Sequence, residues 1–81
     1  MKHSQLINYL KSNLTEKQFS KITKIIKSNA SGTNYLSLKF ESEKDLQSIC
    51  KDLKIDIDGE DNYSRCQSRY GIGIIYYGPR N

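Results

Sequence analysis

Lys17, Lys21 and Lys24 stand four and three residues apart, and Tyr63, Arg65, Gln67 and Arg69 stand two apart. These spacings gather cations and rings on one face, of a helix in the first case and of a strand in the second. On a helix the three ammonium groups fall within about 60° of one another, opposite Phe19 and Ile26, with Lys27 on the flank. Such a row can follow a phosphate backbone, each lysine acting as a point charge. It is also what a solvated helix face looks like, since lysine is among the residues least often buried.

The second set has different chemistry. The arginine guanidinium is a planar fork for phosphate or carboxylate, and the tyrosine ring is a stacking surface with a polar tip. Tyr70 adjoins this row, and Tyr77 falls on the outward side of the last expected strand. Tyrosine and arginine are equally the types that dominate protein interfaces. The set therefore fits RNA or a protein partner, and the alternation alone does not separate them.

Catalysis finds little to work with. His3 is the single histidine, at an N-terminus expected to fray, and Cys50 and Cys66 complete no zinc set with it. No serine or cysteine has an evident base. The run Asp56-Ile57-Asp58-Gly59-Glu60-Asp61-Asn62 lacks the ligand spacing and closing glutamate of a calcium loop and reads as a charged turn. Gly71 and Gly73 precede a strand rather than a helix, so they mark a bulge or close backbone approach, not a phosphate loop. The residues thus point to no catalytic group, no metal and no cofactor. One catalytic route stays open, a metal-independent ribonuclease toxin built from Arg65, Arg69, Tyr70 and the lysines of the second helix.

Charge is divided unevenly along the 81 residues. Residues 1–28 hold six lysines against Glu16, residues 29–62 four lysines against eight acids, and residues 63–81 all three arginines and no acid. The net charge of +4 hides a basic front, an acidic middle and an Arg/Tyr-rich end. That asymmetry points to an anionic partner surface, either nucleic acid or an acidic protein patch. A chain this short buries about 60–65% of its unfolded surface, enough for one modest core, so one domain is expected over residues 1–81. No apolar run approaches the roughly 20 residues that span a bilayer, and the N-terminus is polar. The abundance of Lys, Ile, Asn and Ser suits an AT-rich coding sequence, as in low-GC bacteria and their phages. The expectation is a cytoplasmic protein of a bacterial host, with its cysteines reduced.

The elements that must position these residues read as α+β. A first helix runs from Ser4 to about Ser12, with Leu6, Ile7 and Leu10 on one face. Thr15 caps a second, with Gln18 at the capping-box position and Leu14 and Phe19 as a hydrophobic staple. This helix is expected to reach Ser28 on the spacing of Phe19, Ile22 and Ile26, with 29–32 as its stop and linker. Residues 1–28 are therefore an expected αα-hairpin, and 33–78 a sheet with one helix. Leu36, Leu38 and Phe40 alternate with Tyr35, Ser37 and Lys39 in a strand. Ser42 caps a third helix whose buried stripe is Leu46, Ile49, Cys50 and Leu53. A polar strand over Tyr63–Arg69 and an apolar one over Ile72–Tyr77 follow, the latter central or an edge that meets a partner. The sequence order after the hairpin is β-α-β-β, a small antiparallel or mixed sheet packed on helices.

Three functional readings follow. The first is a small non-enzymatic inhibitor or adaptor that binds a protein of a nucleic-acid-handling or defence complex, of the kind phages use, anti-CRISPR proteins among them. The second is direct DNA or RNA binding through the lysine stripe and the Arg/Tyr strand. The third is the ribonuclease toxin. No membrane partner is expected, and an exposed Ile72–Tyr77 edge would allow a homodimer.

Overall fold

The N-terminal helices form where capping and apolar spacing ask for them. In a computed structural model, which describes residues 1–54, 63–68 and 71–78 (for 63–68 and Gly71 the backbone only), helix α1 spans His3–Asn13 and buries Leu6 and Leu10. Its entry is tied down at three points. The Lys2 amide donates to Gln5 Oε1 at 2.8 Å, His3 Nε2 lies 2.7 Å from the Ser28 carbonyl oxygen, and Asn34 donates to the Met1 carbonyl at 2.9 Å. His3 is half-buried against the sheet, so the expected frayed terminus is corrected: a strand carbonyl holds it.

Thr15 is the cap of α2, its hydroxyl accepting from the Gln18 amide at 3.1 Å. The helix, however, covers only Glu16–Phe19, and the expected continuation to Ser28 is a strand, β1, over Lys24–Ala30. Two features of the chain favour this. Thr23, Ile25 and Ile26 are β-branched, which lowers helix and raises strand preference. Ser31 and Gly32 take positive φ (52° and 79°) between the paired residues Ala30 and Thr33. Positive φ at both central positions is the type I′ geometry whose twist suits a two-residue hairpin. Residues 29–32 are thus the end and turn of a hairpin, not a linker.

Strand β2, Thr33–Phe40, pairs antiparallel with all seven residues of β1. Ser42 then caps α3, Glu43–Asp52, its hydroxyl accepting from the Asp45 amide at 3.2 Å, and Leu46, Ile49 and Cys50 are buried. After residues 55–62, which hold the acidic run and lie outside the described set, β3 (Tyr63–Ser68) and β4 (Gly71–Tyr76) form an antiparallel pair. The spatial order is β1-β2-β4-β3, antiparallel throughout. The α+β arrangement of N-terminal helices followed by strands is as expected. The last strand is central, with β2 on one side and β3 on the other. An exposed β4 edge for self-pairing is therefore ruled out, because both its hydrogen-bonding sides are occupied.

The core lies on one face of this sheet. Leu36, Leu38 and Phe40 of β2 and Ile74 and Tyr76 of β4 meet Leu6 and Leu10 of α1 and Leu46 and Ile49 of α3. All of these are at most 1% exposed. Side chains alternate across a strand, so the residues between them point to the opposite face. There the side chains are half-buried or exposed.

Candidate functional site

Register assigns the face turned away from the helices residue by residue, since directly opposed residues of antiparallel strands share a face. Tyr35 alternates with buried Leu36, and Tyr77 with buried Tyr76. Their rings meet with centroids 5.4 Å apart and planes tilted by 49°. Ser28 of β1 lies opposite Tyr35. The next row is aliphatic around a hydroxyl: Ile26 and Ile75 flank Ser37 from β1 and β4. Ile26 is 37% exposed, the most exposed isoleucine among the described residues. The third row is cationic, with Lys24 directly opposite Lys39 and Gly73 on its far side. No acid occupies any of these positions.

Two features of this face are unfavourable for the protein alone. Like charges directly opposite on neighbouring strands destabilise a sheet. Half-exposed tyrosine and isoleucine side chains leave apolar area in water that burial elsewhere would have stabilised. A partner that brings negative charge and apolar surface relieves both.

The expected lysine stripe is not assembled. Lys17 is exposed on α2, Lys21 is half-buried with Nζ 3.5 Å from Ser48 Oγ of α3, and Lys24 is on β1. The physical reason is the end of α2 at Phe19: beyond it a period of two replaces the period that would have aligned the three. Gln18 does not close a capping box either. Its side-chain amide hydrogen-bonds to Ser48 and Asp52, joining α2 to α3.

Of the Arg/Tyr set, Tyr63, Arg65 and Gln67 are in β3, opposite Tyr76, Ile74 and Ile72 respectively in register. Arg69 and Tyr70 lie outside the described residues. Tyr77 is half-buried beside Tyr35, close to the expected surface position. Tyr35, Lys39, Ile26 and Ile75 were not among the expected site residues. The period-two pattern of residues 35–40 does carry a signal for Tyr35 and Lys39, as the members that alternate with the core. Ile26 was hidden by its assignment to a helix.

Two other features lie apart from this face. Lys11, Leu14, Glu16, Phe19 and Ser20 border an open depression between α1 and α2, where Lys11 Nζ sits 5.9 Å from the Phe19 ring centre. The Tyr76 hydroxyl is buried with no hydrogen-bond partner among the described residues. Burial, and secondarily the neighbouring Tyr9, hold its ionisation well above the ordinary tyrosine range. It is sealed in the core and available to no substrate. An unsatisfied buried hydroxyl carries a desolvation penalty, so Tyr76→Phe is expected to stabilise the fold by about 1–2 kcal/mol in urea titrations at neutral pH. The sign with pH is also set. The folded form keeps the proton that the unfolded chain loses near pH 10, so stability falls above that pH, by up to about 1.4 kcal/mol per unit. The fall at alkaline pH should be shallower in Tyr76→Phe than in the parent.

Among the described residues no group of three or more His, Cys, Asp or Glu side chains is placed to hold a metal ion, and no helix is long and apolar enough to cross a membrane. No protein family, curated protein or solved structure matches the chain.

Proposed function

We propose that this chain is a small non-enzymatic binding protein whose recognition surface is the open face of its sheet, and that it acts by occupying a component of a nucleic-acid-handling complex. The observation that supports the reading is the Tyr35–Tyr77 pair, half-exposed on a face that also carries Ile26, Ile75 and the opposed Lys24 and Lys39. Aromatic anchors with adjacent charge are the composition of binding hot spots. Blocking a host defence complex, as phage inhibitors do, would require no chemistry beyond such occupancy. The helix-stripe version of nucleic-acid binding is not carried forward, because the stripe is not formed.

Capture from host lysate by immobilised full-length protein tests the reading. Tyr35→Ala combined with Tyr77→Ala is expected to weaken partner capture about 30-fold or more, the scale of a hot-spot loss of 2 kcal/mol. Lys17→Gln, in the helix layer, should leave it unchanged. Equal capture by the parent and the double variant, with both folded by circular dichroism, would remove the face from consideration.

A further inference from the structure

The open face has a direction. Tyr35 and Lys39 lie on the same side of β2 four residues apart, about 13 Å at the rise of an antiparallel strand. Rings therefore gather at one end and ammonium groups at the other, with Ser37 between two isoleucines in the middle. Lys24 and Lys39 face each other across the β1–β2 pair, so an anion seated between them turns a repulsion into two attractions. The ring end accepts flat apolar groups and the lysine end accepts negative charge. The ligand chemistry that supplies both along one chain is a polyanion carrying unstacked aromatic bases.

Resting on the sheet-face reading above, we infer that this face binds single-stranded nucleic acid, with bases on Tyr35 and Tyr77 and phosphate at Lys24 and Lys39. A duplex is a poorer match, because its bases are already stacked on one another and only its phosphates would be engaged. An acidic protein segment would satisfy the lysines and could pack on the rings, but it does not repeat charge and flat ring at regular intervals along its chain as a single strand does.

Fluorescence anisotropy with the full chain and labelled oligothymidylate, oligouridylate and a duplex of equal length is the test. One or both single strands should bind more tightly than the duplex, and comparing them separates DNA from RNA as the source. The logarithm of affinity should fall with the logarithm of salt by about 0.7 for each phosphate neutralised. Lys24→Gln with Lys39→Gln should remove roughly two such increments of slope. Tyr35→Ala and Tyr77→Ala should each weaken binding by about tenfold. Ser37→Glu, which places a negative charge mid-face without truncating a ring, should weaken it as well and covers the case in which a tyrosine variant fails to fold. Equal affinity for the duplex, or affinity unaltered by Ser37→Glu, would overturn the inference. If no oligonucleotide binds while the tyrosine double variant still loses a captured protein, the inference falls and the sheet-face reading stands. If capture is also unaltered, both fall.

Discussion

Phe40→Ala is expected to destabilise the protein by about 3–5 kcal/mol, the range for deleting a buried phenylalanine side chain. Phe40 is 1% exposed at the end of β2, paired with Ile72 of β4 and enclosed in the same core cluster as the residues of α1 and α3. Removing the ring takes away apolar burial and leaves a cavity where the two central strands meet the helices. A domain of this size has about 5–10 kcal/mol of net stability, so this loss is about a third of the total or more. Urea denaturation would show a lower midpoint with little change in slope. Ile26→Ala is the matched comparison. Ile26 is on the open face and 37% exposed, and its truncation should cost less than about 1 kcal/mol. If the two variants lost similar stability, the assignment of covered and open faces would be wrong, and the candidate site with it.

The second large effect is expected at Gly78. Its φ of +119° lies where side chains are strongly disfavoured, and a Cβ there would come within 3.1 Å of both Leu6 Cδ2 and Met1 Sδ. Met1 is 58% exposed and can move aside, whereas Leu6 is fully buried and cannot. Gly78→Ala should therefore cost about 2–3 kcal/mol, with backbone strain as the larger part. Gly32 is the control for strain without contact. Its φ is +79°, but nothing lies within 4 Å of an added Cβ, so Gly32→Ala should cost only about 1 kcal/mol. The difference between the variants, read from urea midpoints, combines the greater backbone strain at +119° with the contact that an added Cβ makes with Leu6. Identical losses at both positions would mean that neither the extra strain at +119° nor the Leu6 contact costs stability at Gly78.

Where chemistry is local, the residues alone specified the structure. Ser42 and Thr15 each have a side-chain oxygen that accepts from the amide three residues on, and both act as caps. The stripe Leu46, Ile49, Cys50 has helical spacing and is buried, and the alternation of Leu36, Leu38 and Phe40 is a strand with one covered face. Short-range geometry decides these patterns, so they survive without knowledge of neighbours.

Residues 20–30 were different. Phe19, Ile22 and Ile26 have the spacing of a helix, yet Lys24–Ala30 is a strand because β2 offers a partner for every residue and Ser31-Gly32 closes the hairpin. Hydrogen bonding to a neighbouring strand outweighs a weak local preference, and that neighbour is a tertiary fact. The same assembly decided the candidate site. Lys24 comes from β1, Lys39 and Tyr35 from β2, and Tyr77 from the residue that follows β4, and their common face exists only once the order β1-β2-β4-β3 is set and the helices have taken the other side. The uneven charge led only to the expectation of an anionic partner. Which cations and rings stand together to meet it was decided by strand pairing, because a two-residue period tells each strand's sides apart but not which strand lies beside which.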